Sequence, residues 1–404
     1  MKIEKVGEDG AGICGKKKIL KAYPGDRVVA RRAGKYWYVE KLLQPGEHRV
    51  EPRCSHFEEC NACIWQAMKY RSQLAFKEAL VKELFDNAEE IAPSPRIWHY
   101  RNKMELVFLN GNLGYRAFGR WDRAFDLREC WIAMEWMPEI AKAVRKKWRE
   151  LEIPEYDLRK HRGFLRYLVL KGTRKEKLVA VVATSGLGKE NAETLLQGLD
   201  VDSKFLVVND TKSDVASGTP VHLEGKETIR EKYCGFEFLF GPLSFMQPNP
   251  WQAERLYGFV RESAELRGSE KVMELYGGVG VMGLMLAEEA KKVVSVEENR
   301  EASVLARKNA ELNGVRNFEA LNAKAEDVEI EADVLVVDPP RAGLHTSVIR
   351  KILANPPKKI VYVSCNPKTA WRDVQLLNYR VEIVKPFDML PHTPHIELVL
   401  VLSW

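Results

Sequence analysis

At 404 residues and 46.3 kDa, the chain exceeds what one hydrophobic core organises, so it divides into two or three domains. Hydrophobic content of 45%, charged content of 30%, 27 Gly and 19 Pro exclude collagenous, mucin-like and disordered classes. The net charge of +6 is concentrated in residues 1–50, which hold twelve Lys and Arg against six acids while the rest of the chain balances. A basic first domain suits a phosphate backbone, whose neutralisation releases counterions, or is a solvated basic surface.

No apolar run approaches the 18 or so residues that cross a bilayer, and Met1–Gly10 carries mixed charge. Both point to a cytoplasmic protein with no membrane partner. The first 45 residues read as short strands, Lys2–Val6, Lys18–Ala22, Arg27–Arg31 and Tyr36–Leu42, broken by glycines and a Pro24-Gly25-Asp26 turn. That is the pattern of a small β-barrel. After a boundary at Pro45–Pro52, a helix is predicted within Trp65–Phe85, with Leu74, Phe76, Leu80 and Leu84 at helical spacing.

From Arg96 to about Gly241, strands at Met104–Leu109, Phe164–Leu170, Leu178–Ala183 and Phe205–Asn209, with a helix at Pro138–Leu151, predict a central α+β domain. Beyond Pro250, helices at Gln252–Leu266, Val281–Ala290, Glu301–Asn313, Ser347–Leu353 and Thr369–Leu376 alternate with strands at Lys271–Leu275, Val293–Glu297, Ala332–Val337 and Lys359–Ser364. Strands at Arg380–Phe387 and Ile396–Ser403 close the chain. Strands such as VLVV are apolar on both faces, as a sheet covered on both sides requires. A doubly wound α/β domain follows, with ligands expected beyond the carboxyl ends of its strands.

The run Glu274-Leu-Tyr276-Gly277-Gly278-Val-Gly280-Val-Met-Gly283 links its first strand to a helix, and Glu297 lies at the end of the next strand. Glycines let backbone approach a ligand, and a carboxylate there accepts ribose hydroxyls. This indicates an adenosine-bearing cofactor, NAD or S-adenosylmethionine. Asp338-Pro-Pro-Arg341 and Ser364-Cys365-Asn366-Pro367 follow two further strands. A cysteine near helix N-termini in an open crevice is expected to ionise readily and serve as a nucleophile. Glu397, in Pro391-His-Thr-Pro-His395-Ile-Glu397, interrupts an apolar strand, where burial would raise its pKa towards that of a general base.

Four other cysteines form a separate group: Cys54, Cys60 and Cys63 on a loop, and Cys130 as a fourth thiolate. Four soft ligands suit zinc or an iron–sulfur cluster, and spacing leaves the two level.

With these residues in place, the whole chain resembles the RNA uracil-5-methyltransferase family, which uses S-adenosylmethionine. Phe245-Met-Gln247-Pro-Asn249, the ELYGG turn, Glu297, DPPR, SCNP and the HIE of the last strand occur in family order. The resemblance implies an OB-like TRAM barrel over 1–48, a central α+β domain over 49–241 and a Rossmann-like catalytic domain over 242–404. It implies a [4Fe-4S] cluster on Cys54, Cys60, Cys63 and Cys130. Cys365 would be the nucleophile and Glu397 the base. Gln247, Tyr276, Gly278, Gly280, Glu297 and Asp338 would hold the cofactor, with Asn366 and His395 in support. The implied substrate is a uridine in structured RNA, tRNA over ribosomal RNA, methylated at C5 by a monomeric enzyme. An NAD-dependent oxidoreductase and a non-catalytic RNA-binding protein are the competing readings.

Overall fold

The computed structural model describes residues 1–404, the side chain of Ala33 apart. Strands β1 (Lys5–Val6), β2 (Gly12–Cys14), β3 (Lys17–Leu20), β4 (Arg27–Ala33) and β5 (Tyr36–Gln44) pair in the order β1-β2-β3-β5-β4. A bridge from Lys2 to Arg27 brings the chain start back onto β4, so the sheet curls on itself. The turn before β4 depends on Gly25 at φ +86° and on the fully buried Asp26. That carboxylate accepts from the Tyr23 and Gly46 amides and from the Arg49 guanidinium at 2.7–2.8 Å.

Helix α1 (Tyr70–Lys82) forms where the periodicity places it but buries a different face. Gln73, Lys77 and Val81 are its buried residues, whereas Leu80 and Leu84 are only half-buried. Tertiary partners account for this. Lys77 Nζ meets Asp388 at 2.5 Å with both side chains fully buried, and Gln73 donates to the Trp65 and Met68 carbonyls. The polar atoms are paired on the inside, so the helix can turn its leucines towards a cavity.

The central sheet runs β11-β10-β9-β8-β6-β7, from β6 (Lys103–Leu109), β7 (Asn112–Gly114), β8 (Leu165–Gly172), β9 (Lys177–Ala183), β10 (Ser203–Val208) and β11 (Thr219–Gly225). Helices α2 (Trp136–Leu151) and α3 (Lys189–Leu196) cover one face. The other face joins a core shared with the hairpin β12 (Ile229–Tyr233)–β13 (Phe236–Phe240) and helix α4 (Pro250–Ala264).

The C-terminal sheet has seven strands, ordered β16-β15-β14-β17-β18-β20-β19. They are β14 (Lys271–Leu275), β15 (Lys292–Glu297), β16 (Phe318–Asn322), β17 (Val334–Val337), β18 (Lys359–Ser364), β19 (Arg380–Phe387) and β20 (Glu397–Ser403). The first five are parallel, and β20 inserts antiparallel between β18 and β19. Helices α5 (Val281–Ala287) and α6 (Arg300–Leu312) pack with α4 on one face; α7 (Thr346–Ala354), α8 (Pro367–Leu377) and α1 pack on the other. The alternating pattern anticipates this architecture except for β16, an edge strand that buries only Ala320 and so carries no apolar run.

Packing does not follow the linear division at residue 241. Val81 and Phe85 share a core with the C-terminal sheet, and residues 88–92 run along β19, with the Glu89 and Ala92 amides donating to Val384 and Pro386. No helix among the described residues is long and apolar enough to cross a membrane.

Candidate active site and cysteine pocket

Strand register brings the catalytic candidates to one edge. Leu275 pairs with Val337 and with Val296, so Tyr276, Asp338 and Glu297 stand level one residue further on. Ser364 pairs with Leu398 across the antiparallel β18–β20 ladder, so Cys365 and Glu397 follow as opposite residues. Alternation then sorts side chains by face. Val334, Val336, Val361, Val363 and Val399 share the core beneath α4–α6, and Asp338, Cys365 and Glu397 continue that parity at the sheet edge.

Cys365 is half-buried, and its thiol pKa is pushed up to about 11. Burial is the main cause; Glu397 and Asp338 add to it, and Arg341 opposes them. The expectation of a readily ionised thiol is therefore corrected: two carboxylates and desolvation outweigh one guanidinium and the start of α8. The reading of Glu397 stands in direction. It is buried, and desolvation followed by repulsion from Asp338 holds its carboxyl far above the ordinary range. Burial also raises Asp338, to about 7. His395 is pushed down to about 4, first by burial and then by Arg341, so its ring is neutral at neutral pH. Asn366 caps α8 by accepting from the Lys368 amide, and its Nδ2 donates to the Arg341 carbonyl, tying the loops after β17 and β18 together.

A cavity of about 340 Å³ opens beside Cys365, within the size range of small-ligand pockets. Arg341, Lys368 and His395 line it, as do Leu80 of α1, Leu84 just past that helix and the Glu8-Asp9 turn of the N-terminal sheet. The N-terminal sheet is thus a wall of the site. Lys368 pairs with Glu8 at 2.6 Å, and Trp65 donates its ring N–H to the Gly10 carbonyl at 2.8 Å and its amide to the His392 carbonyl.

The glycine turn is built for close approach. Gly278 and Gly280 have φ of +57° and +83°, and a Cβ on Gly277 would stand 2.0 Å from Ser295 Oγ. The N–H of Gly278 donates to Glu297 Oε2 and that of Asn299 to Oε1, which fixes the carboxylate beside the turn and leaves lone pairs for hydroxyl donors. The residues present therefore fit an adenosine-bearing group. Tyr276 has φ +64°, and its ring packs with the core beneath the opposite face, on the side of α7 and α8. Gln247 is buried, with its carbonyl accepting from Asn102. Neither lines the cavity beside Cys365.

Cys54, Cys60, Cys63 and Cys130 converge on one small pocket. Desolvation raises all four thiols, Cys54 to about 12. Backbone N–H groups meet the sulfurs: Ala62 reaches Cys60 at 3.5 Å, His56 faces Cys54, and Ile132 and Ala133 face Cys130. Among the described residues no three His, Cys, Asp or Glu side chains close around a single ion.

Sequence reasoning passed over three groups. Glu274, fully buried, accepts from Ser295 Oγ at 2.5 Å and from the Gly283 amide, and burial raises it to about 7. An acid within a buried parallel strand was its sign. Lys77 and Asp388 were hidden because neither segment looks unusual without the other. Arg341, seen as part of a motif, is the cation opposing the carboxylates at Cys365.

Comparison with known proteins follows this geometry. Residues 69–404 match the family model described as tRNA (Uracil-5-)-methyltransferase. The tRNA (uracil(54)-C(5))-methyltransferase of Pyrococcus abyssi is 37% identical, with 98% of each chain covered. The 23S rRNA (uracil(747)-C(5))-methyltransferase of Pyrococcus horikoshii is 34% identical, with 99% of this chain and 98% of that one covered. The crystal structure of the Pyrococcus abyssi tRNA (uracil-54, C5)-methyltransferase in complex with S-adenosyl-L-homocysteine superposes over 100% of both chains. Its TM-score is 0.87 at 33% identity.

Proposed function

We propose that this chain, which belongs to the tRNA (uracil-5-)-methyltransferase family, methylates C5 of the uridine at position 54 of tRNA, using S-adenosylmethionine, by way of a covalent bond from Cys365 to the base. The opposition of Cys365 and Glu397 across the β18–β20 ladder, level with the glycine turn, carries the reading.

Uracil C5 is too weak a carbon nucleophile to take a methyl group unaided. Cys365 gives up its thiol proton to solvent, its Sγ adds at C6 as the thiolate, and the C5–C6 π electrons move towards C5 and the C4 carbonyl, making C5 an enolate carbon. Bound S-adenosylmethionine supplies an electrophilic methyl on a sulfonium. C5, once methylated, carries a hydrogen that Glu397 removes; the C6–S bond then breaks and its electrons return to the sulfur. Burial raises the pKa of both acids, and a cation bound beside them would favour their charged forms. Asp338 and Glu297 position the cofactor against the pocket, with Gln247, Tyr276, Gly278 and Gly280 completing its surround.

The target base must leave its stack to reach Cys365, which is least costly in a loop. We read residues 1–48 as a TRAM-like barrel gripping the RNA flanks with its basic surface, 49–241 as the central domain and 242–404 as the catalytic domain. We assign a [4Fe-4S] cluster to Cys54, Cys60, Cys63 and Cys130; the fit is the convergence of four thiols with backbone N–H groups aimed at sulfur. No step needs its electrons. The enzyme acts as a monomer.

The test is incubation with radiolabelled methyl donor and separate tRNA and 23S rRNA transcripts, followed by mapping of the modified nucleotide. Label at position 54 of tRNA is expected. Label confined to the ribosomal transcript overturns the target, and label in neither overturns the reaction.

A further inference from the structure

The cavity beside Cys365 continues outward along an aromatic path. Asp9, on its rim, accepts from the Tyr36 hydroxyl at 3.3 Å. Tyr38, on the same face of β5 two residues along, meets Phe118 edge-on at 4.0 Å between ring centroids. Three residues beyond, Trp121 stands 58% exposed on the loop after β7, with the Arg159 guanidinium 5.1 Å from its ring.

An isolated exposed tryptophan means little. This one is presented by a braced loop. Arg116 donates to the Trp121 carbonyl at 2.8 Å while its other end pairs with Asp214, Asn110 donates to the Asp122 carbonyl at 2.8 Å, and Asp122 pairs with Arg120. Arg159 over the ring, Arg123 two residues along the chain and Arg162 are exposed, and none of the three forms a salt bridge among the described residues, although Arg159 lies within Coulomb range of Asp122. A fixed indole among unpaired guanidinium groups matches an unpaired base flanked by phosphates.

We propose that this patch is a second RNA contact. Trp121 stacks on an unstacked base of the same RNA outside the target loop, and Arg123, Arg159 and Arg162 neutralise its neighbouring phosphates. The inference rests on the RNA-methyltransferase reading and adds a footprint beyond the barrel and the pocket.

Binding of a whole tRNA transcript and of its isolated T-arm hairpin, measured with S-adenosylhomocysteine present, separates the two contacts. Trp121→Ala and Arg159→Ala should each weaken binding of the whole transcript, and raise its KM, by about tenfold. kcat should hold, and the hairpin should be affected less than twofold. Arg159→Ala should also reduce the slope of log K against log salt by about 1. Unchanged affinity for the whole transcript in both variants, or an equal loss for the hairpin, overturns the proposal. Tm measured alongside shows that each variant folds. A wild-type chain that binds the transcript through Trp121 yet transfers no methyl group would leave this contact standing and sink the reaction instead.

Discussion

Two of the places where the molecule half-buries thiols have different surroundings. Cys365 sits at a sheet edge against Glu397 and Asp338, so the charge it would gain is opposed first by desolvation and then by those two acids wherever they are ionised. Cys54, Cys60, Cys63 and Cys130 sit in a loop pocket where backbone N–H groups reach the sulfurs. Burial among acids makes a thiol that keeps its proton, whereas N–H donors beside the clustered thiols favour the charged sulfur against the desolvation that opposes it. The same residue type thus stands in two different electrostatic settings.

The sharpest break in that comparison is Cys365→Ala. It should abolish methyl transfer, by roughly 10⁴-fold or more, and leave the denaturation midpoint in place, because a half-buried sulfur at a loop contributes little packing. Glu397→Gln should slow turnover by about 10²–10⁴-fold and accumulate an RNA adduct that survives denaturing gels. A slow variant with no adduct would remove Glu397 from the proton-abstraction step.

The cysteine pocket should respond the other way. Cys63→Ser should lower Tm and remove the brown colour of protein purified without oxygen. A colourless wild-type preparation holding stoichiometric zinc would overturn the cluster. Nearby, Lys77→Met leaves Asp388 charged and buried without its ammonium partner, although Tyr70 still donates to it. A loss of about 3–5 kcal/mol by urea titration is expected.

The smallest effect is a pH effect. Glu274 has a folded-state pKa of about 7, above its ordinary value of 4.5, so folding binds its proton more tightly than the unfolded chain does. Its favourable contribution is complete below pH 4.5 and fades as pH rises through 7. Glu274→Gln should therefore raise Tm modestly at pH 8 and leave it nearly unchanged at pH 4.

Local chemistry made much of this readable in advance. The strands Lys271–Leu275 and Lys359–Ser364 fall at their expected residues, since a strand buried on both faces is mostly apolar. The glycine turn was legible because positive φ and close approach exclude most side chains. What the linear order concealed were relations between distant segments. The buried face of α1 was misjudged because Asp388, 311 positions away, makes Lys77 an interior residue. The ionisation of Cys365 was misjudged because strand pairing, not sequence proximity, sets Glu397 and Asp338 beside it. Composition and spacing thus determined which groups carry chemistry and which segments become strands; the tertiary structure decided their charges and partners, because desolvation and Coulomb interactions depend on distance through space.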